Sequence, residues 1–268
     1  MKERSPVKLS LLTYDLARTW SLPKLIEVAR SCGYAGIEFR SDAGHQHSAE
    51  LDRTASERRR IREQLEDAYL EAVGIGTGCK FQAPDPSERA ANIEQAKRFI
   101  ELAADIGSKR VRVFGNDIPP GVKRDDCIRY VGESLRALGE FAEPFGVDVL
   151  LEMHGQFNYW KFARAAVEIA GHPRVGIVYN SDTRDMIAGS IAAAYAEVRT
   201  QVRHVHLHAF SGSFPYPELF ALLAADGYRG YLSSEVEEID DRLREEYFAV
   251  YAALFRAWAG QSFWPMPS

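Results

Sequence analysis

Residues 147–155 read VDVLLEMHG, an apolar run that closes on Glu152 and His154. Three later stretches follow the same pattern: VGIVYNSD at 175–182, VRHVHLHAF at 202–210 and GYLSSEVE at 230–237. Each is a short strand pattern whose last part carries a residue able to bind a metal: Glu152, Asn180 or Asp182, His206 and Glu235. Strands that end this way one after another predict a (β/α)8 barrel with its working site on the C-terminal rim.

The rest of the chain keeps the same alternation. Strands are expected at 7–13, 36–39, 72–77 and 110–114, ahead of those at 147–153, 175–179, 202–208 and 230–234. Ser21 is placed to cap the first helix, with Leu22, Ile26 and Ala29 on one side and Gly33 as its stop. Further helices are expected at 56–68, 86–106, 124–145, 159–170, within 185–198, at 215–225 and at 244–258. The third carries Ala91, Ile93, Ala96 and Ile100, and Gly146 stops the fourth. No linker or low-complexity stretch interrupts residues 1–268, so one domain is expected. The polar stretch 40–54 reads as a rim loop over the site, and His45 and His47 in it as surface histidines or as groups that close over substrate.

Other classes fit poorly. A dinucleotide-binding fold needs a glycine-rich loop after its first strand, and here that position reads TYDLARTW. The run Gly74-Ile75-Gly76-Thr77-Gly78 is misplaced for that role; it reads as small residues that let backbone and ligand approach, or as turn chemistry. A net charge of −5 gives no basic surface for a nucleic acid. Cys32, Cys79 and Cys127 are odd in number and contain no C-x-x-C pair, so reduced thiols are expected. The start, MKERSPVKLSLLTYD, lacks a secretory pattern, and no run is long enough to span a bilayer, which implies no membrane partner and a cytoplasmic protein.

Residues two apart on a strand share a face. Glu152 goes with His154, Glu235 with Glu237, Glu38 with Arg40, Arg112 with Asn116, and His204 with His206 and His208. A barrel interior is normally filled with branched apolar side chains, so this many inward polar groups need a metal, a ligand or each other. Glu152, Asn180, His206 and Glu235 together offer mixed oxygen and nitrogen ligands, which suit Mn, Mg, Co or Zn. Arg112 is placed to hold a substrate hydroxyl, carboxylate or phosphate, or to pair with Glu152, and His208 to hydrogen-bond substrate. His172, beside Pro173, reads as structural.

These pieces also resemble a family. GYAGIEFR around Glu38, VRVFGN around Arg112, LLEMHG around Glu152, VRHVHLHAF around His206 and GYRGYLSSEVE around Glu235 are similar to the sugar phosphate isomerase/epimerase superfamily, the xylose isomerase-like TIM barrels. The resemblance implies that Glu152 and Glu235 bind metal and move protons, that His206 binds metal, and that Glu38 shapes the substrate end of the pocket. Strand six departs from the pattern: an aspartate and a histidine three residues on are replaced by Asn180 and Thr183, with Asp182 nearby as a substitute.

The implied activity is metal-dependent isomerisation or epimerisation of a sugar or sugar-like hydroxy-ketone, by proton abstraction and a metal-stabilised enediolate. Arg112, His154, Asp182 and His208 then face substrate. The alternative is β-elimination, a dehydratase or lyase acting on an inosose-like, dehydroshikimate-like or 3-keto-sugar compound. A third reading, a barrel reduced to a binding module, rests on Asn180 alone. The expected partner is a small carbohydrate or polyol-derived molecule. Phe263 and Trp264 offer either the contact of a homo-oligomer or an arm packed on its own barrel.

Overall fold

Short apolar runs, each followed by a helix with one apolar face, leave a parallel strand pair no route but a helical crossover. The computed structural model, which describes residues 7–237 and 239–263, shows the result. The strands β1 (Lys8–Leu12), β2 (Gly36–Arg40), β3 (Glu71–Lys80), β4 (Arg110–Phe114), β5 (Asp148–Glu152), β6 (Val175–Asn180), β7 (Val202–Leu207) and β8 (Tyr231–Ser234) pair in sequence order, all parallel, and β8 returns to β1 to close the barrel. The described residues therefore form one (β/α)8 barrel, as expected.

The helices outside it are α1 (Leu22–Cys32), α2 (Ala55–Asp67), α3 (Pro86–Asp105), α4 (Arg124–Ala142), α5 (Trp160–Ala170), α6 (Ala192–Val198), α7 (Tyr216–Ala225) and α8 (Arg244–Phe263). Their ends follow local chemistry. Thr54 and Glu57 form a reciprocal capping box on α2, and Asp85 accepts from the Ser87 amide at the start of α3. Gly33 ends α1 in the left-handed region at φ 80°.

Several expectations need correcting. Ser21 stands at the N-cap of α1 but makes no side-chain cap bond, and the buried face is Leu22, Leu25, Val28 and Ala29, with Ile26 only half-buried. In α3, Ala91 is exposed, and Phe99, Leu102 and Ala103 join Ala96 and Ile100 in the core. α4 stops at Ala142, because Pro144 has no N–H to continue the ladder and a single 3-10 turn, Glu143–Phe145, follows. α6 does lie within the expected 185–198, and it is short because Asp182 and Arg184 organise a 3-10 turn at Thr183–Asp185 and Ile187 pairs with Ser190. α8 runs past residue 258 to Phe263.

Cys79 and Cys127 are buried, Cys32 is half-buried, and all three are free. No helix among the described residues is long and apolar enough to cross a membrane. The subunit-contact expectation falls on the Phe263 side chain and on Trp264, both outside what is described.

Candidate metal centre at the barrel mouth

The closed barrel turns the ends of β2, β4, β5, β6, β7 and β8 toward one axis. His206, fully buried near the end of β7, is the hub. Its Nδ1 lies 3.3 Å from Glu152 Oε1 and 3.3 Å from Glu235 Oε2, while its Nε2 lies 3.1 Å from Glu38 Oε1. Asn180, at the end of β6, donates its amide to Glu152 Oε1 at 3.3 Å. The structure thus gathers Glu152, Asn180, His206 and Glu235 in one place, all buried.

Electrostatics follow from this crowding. Burial disfavours the imidazolium of His206, but Glu38, Glu235 and Glu152 outweigh it and hold its pKa well above the ordinary histidine value. Burial likewise works against the Glu38 carboxylate, and His206 and His204 hold its pKa well below the usual range. Glu235 is shifted the same way, burial being outweighed by His206 and then His208. Three carboxylates around one imidazole are a site for positive charge.

Two triads have ligand atoms within 4.8 Å of one another: Glu152, His206 and Glu235, and Glu38, His204 and His206. They differ in what is already satisfied. Glu38 Oε2 takes His204 Nε2 at 2.7 Å and the Ser233 hydroxyl at 2.5 Å, and Oε1 takes His206. Beside the first triad, Asn180 Oδ1 is buried with no hydrogen-bond donor among the described residues, and Glu152 Oε2 has only the charge of Arg112 Nε at 2.9 Å, with no N–H aligned on it. A buried acceptor left without a donor is costly, and a divalent cation would give Asn180 Oδ1 a partner and share Glu152 with Arg112. The residues present therefore fit a metal held by Glu152, Asn180, His206 Nδ1 and Glu235. Glu38 would then stand behind His206 as the carboxylate that accepts its Nε2–H and fixes its tautomer.

Arg112, 3% exposed, reaches Glu152 Oε2 with Nε at 2.9 Å and donates Nη1 to the Thr77 carbonyl at 2.8 Å. It lies over the Phe114 ring at 4.1 Å. Of the two roles open to it in the sequence, the ion pair with Glu152 is made.

Above the cluster, a cavity of about 600 Å³ is lined by His154, Asn180, Asp182, His208 and Glu235, together with Tyr14, Arg184, Ser211, Glu237, Ile239 and Tyr247. His154 shares a hydrogen bond with Asn116 at 2.8 Å. His208 sits just past β7, its side chain 42% exposed and Nε2 3.3 Å from Glu235 Oε2. Burial lowers its pKa, but the bond and charge of Glu235 prevail and raise it. The carboxylate of Asp182 is held by Arg184, whose Nε lies 3.0 and 2.9 Å from its two oxygens. Glu38 and Arg112 lie below this cavity rather than in its wall.

His204 is buried against Glu38 and is not a surface group. His47 corrects the reading of its loop: it is fully buried, with Nε2 3.0 Å from the Arg40 carbonyl and Nδ1 accepting from the Ala49 amide at 3.0 Å. It fastens the loop to β2, and burial pushes its pKa down to about 4. His45 is half-buried beside Thr13. Tyr14, Arg184, Ser233 and Tyr247 were not anticipated. Tyr14 follows β1 and Ser233 lies two residues before Glu235, so strand position and alternation carried a signal for these two.

The family model described as xylose isomerase-like TIM barrel matches residues 26–251, and the chain belongs to that family. It is 25% identical over 250 residues to the 3-dehydroshikimate dehydratase of Pseudomonas aeruginosa, covering 85% of this chain and 37% of that one. It is 28% identical over 169 residues to the 3-dehydro-D-guloside 4-epimerase of Escherichia coli, covering 55% of this chain and 64% of that one. The matches thus span 37% and 64% of the length of these curated relatives. The crystal structure of 3-keto-D-glucoside 4-epimerase from E. coli superposes with a TM-score of 0.75 at 18% identity, covering 92% of this chain and 99% of that one. That likeness shows the fold.

Proposed function

We propose that this protein is a metal-dependent isomerase or epimerase of a sugar or sugar-like hydroxy-ketone, with Glu152 and Glu235 as its proton carriers. The supporting observation is the placement of these two carboxylates, each 3.3 Å from His206 Nδ1, beneath a cavity of monosaccharide scale. When bound, a divalent ion supplies Lewis-acid polarisation of a substrate carbonyl. The remaining work belongs to side chains. Glu152 is steadied by Arg112 and Asn180, and Glu235 by His206 and His208. They come from β5 and from the residue after β8, so they approach a substrate from different sides. One is placed to take a proton from the carbon beside the carbonyl, and the other to return it. His154 and His208 are placed to hold hydroxyl groups.

A second reading, β-elimination, has its own support. His208 is half-exposed in the cavity, and Glu235 shifts it toward its protonated form, the form that can protonate a leaving hydroxyl. The dehydratase relative also matches along most of this chain. The decisive experiment follows panels of hydroxy-ketones and 3-keto-sugars in D2O with Mn-loaded protein. Deuterium entering the carbon beside the carbonyl, without loss of water, supports isomerisation. A conjugated, ultraviolet-absorbing product supports elimination, and no exchange on any substrate would sink both.

A further inference from the structure

β3 carries glycine at alternate positions, Gly74, Gly76 and Gly78, and the pairing register puts charged residues beside them. Glu38 pairs with Gly74, Arg40 pairs with Gly76, and Gly76 pairs in turn with Arg112 on the far side. The neighbouring side chains lie across these glycines. A Cβ on Gly74 would meet Glu38 Cγ at 3.5 Å, and one on Gly78 would meet Arg40 Nη2 at 3.9 Å. A Cβ on Gly76 would come within 2.9 Å of Arg112 Nη2 and 3.5 Å of Arg40 Cδ. Two guanidinium side chains therefore share one Cβ-free floor.

Their surroundings are unequal. Arg112 is fixed by Thr77, by the Phe114 ring and by the charge of Glu152. Arg40, half-buried at the rim, donates Nη1 to two backbone carbonyls, Ser41 at 2.8 Å and Gly76 at 3.2 Å. Asp42, two residues on, accepts from Gln95 at 2.6 Å. Among the described residues Arg40 has no carboxylate in salt-bridge contact; partial burial and then like charge from Arg112 disfavour its cation, and Glu152, Asp42 and Glu235 offset them only in part. Glu152, the counter-ion of Arg112, is also a candidate metal ligand, so a bound cation would draw on the same carboxylate. Arg40 is thus left without a direct carboxylate partner, a place that one monoanion would fill.

We propose that Arg40 and Arg112 form an anion subsite beside the metal cluster, and that the substrate is an acidic hydroxy-carbonyl compound bearing a carboxylate. This rests on the hydroxy-carbonyl chemistry proposed above and adds the substrate class. Arg40 supplies the charge that no carboxylate pairs directly, Arg112 reinforces it, and the missing Cβ of Gly76 lets the two side chains lie close together.

The test measures dissociation constants by calorimetry for a matched series, D-glucose, D-glucuronate and D-glucose 6-phosphate, on Mn-loaded protein. The series is repeated on the protein in EDTA and on Arg40→Met and Arg40→Lys. D-glucuronate is expected to bind at least about tenfold tighter than D-glucose, the scale of one charge-assisted hydrogen bond. Arg40→Met should remove that preference with Mn uptake unchanged, and Arg40→Lys should keep part of it. Equal affinities, a preference that survives in Arg40→Met, or tightest binding of the 6-phosphate would each overturn the proposal. A glucuronate preference in a protein that takes up no Mn would sink the metal reading and leave the subsite standing.

Discussion

His206 Nε2 stands 3.1 Å from Glu38 Oε1 in the interior of the barrel, with the His206 ring fully buried and Glu38 1% exposed. Glu38 is itself held from the other side by His204 and Ser233. Once a metal displaces the Nδ1 proton, Nε2–H donated to Glu38 would leave the Nδ1 lone pair directed between Glu152 and Glu235. Glu38→Gln keeps the shape but weakens that acceptor and permits the wrong tautomer. Metal affinity is expected to fall about 10- to 100-fold, as for other carboxylates behind a metal-binding histidine. Titration of the apoprotein with Mn and Zn reads this directly, and unchanged affinity would remove Glu38 from the role.

Glu152→Gln and Glu235→Gln should each lower turnover, on the order of 10²- to 10⁴-fold for a lost proton carrier. Stability should separate them. Glu152 neutralises the buried Arg112, and stranding that guanidinium is expected to cost about 3–5 kcal/mol. Glu235 faces histidines and the cavity, so Glu235→Gln should cost much less. Urea unfolding of the two variants in parallel checks the difference.

The barrel was legible because its evidence is local. Apolar runs and the glycine stop after α1 are written within a few residues of where they act. The cluster was legible for a related reason: alternation from β5 to β8 points Glu152, Asn180, His206 and Glu235 inward without knowledge of neighbours. What escaped depends on closure. Ser10 and Ser233 pair across the β1–β8 seam with their hydroxyls 2.6 Å apart, a contact no local pattern encodes. His47 looked solvated in a stretch of Ser, Asp and His, yet the loop folds its ring beneath Phe39 and onto the Arg40 carbonyl. Arg184 belongs to no strand pattern, and only the folded loop shows it as the clamp on Asp182.

Gly76 tests the floor of the barrel mouth. Its added Cβ would press on Arg112 Nη2, which is not free to swing because Thr77, Phe114 and Glu152 fix the guanidinium. Gly76→Ala is therefore expected to destabilise by about 1–3 kcal/mol, the range for overpacking. Gly44→Ala, whose Cβ would meet nothing within 4 Å but whose φ is +72°, is the control for backbone strain alone. A Gly76→Ala protein as stable as wild type would show that the arginine pair can shift.

Asp185 should impose a pH dependence away from the metal cluster. It is 4% exposed, accepts from Asn158 Nδ2 at 2.9 Å, and is buried beside the Tyr179 hydroxyl, whose favourable effect on the carboxylate is smaller than the cost of burial. Burial raises its pKa from 3.8 to about 7. The folded chain therefore holds this carboxyl neutral where the unfolded chain has ionised it. Below about pH 4 both states are protonated and nothing is lost. Between about pH 4 and 7 the unfolded state is favoured progressively, and above that the penalty levels off at up to about 4 kcal/mol. Asp185→Asn keeps an acceptor for Asn158 and removes the ionisation. Its stability relative to wild type should rise across that window and stay constant above it. Urea unfolding of both proteins at about pH 4.5, 6 and 8 reads the difference, a range in which the stability contributed by the lowered pKa values of Glu38 and Glu235 is already present in both proteins. A constant difference at all three pH values would mean that Asp185 is ionised in the folded protein.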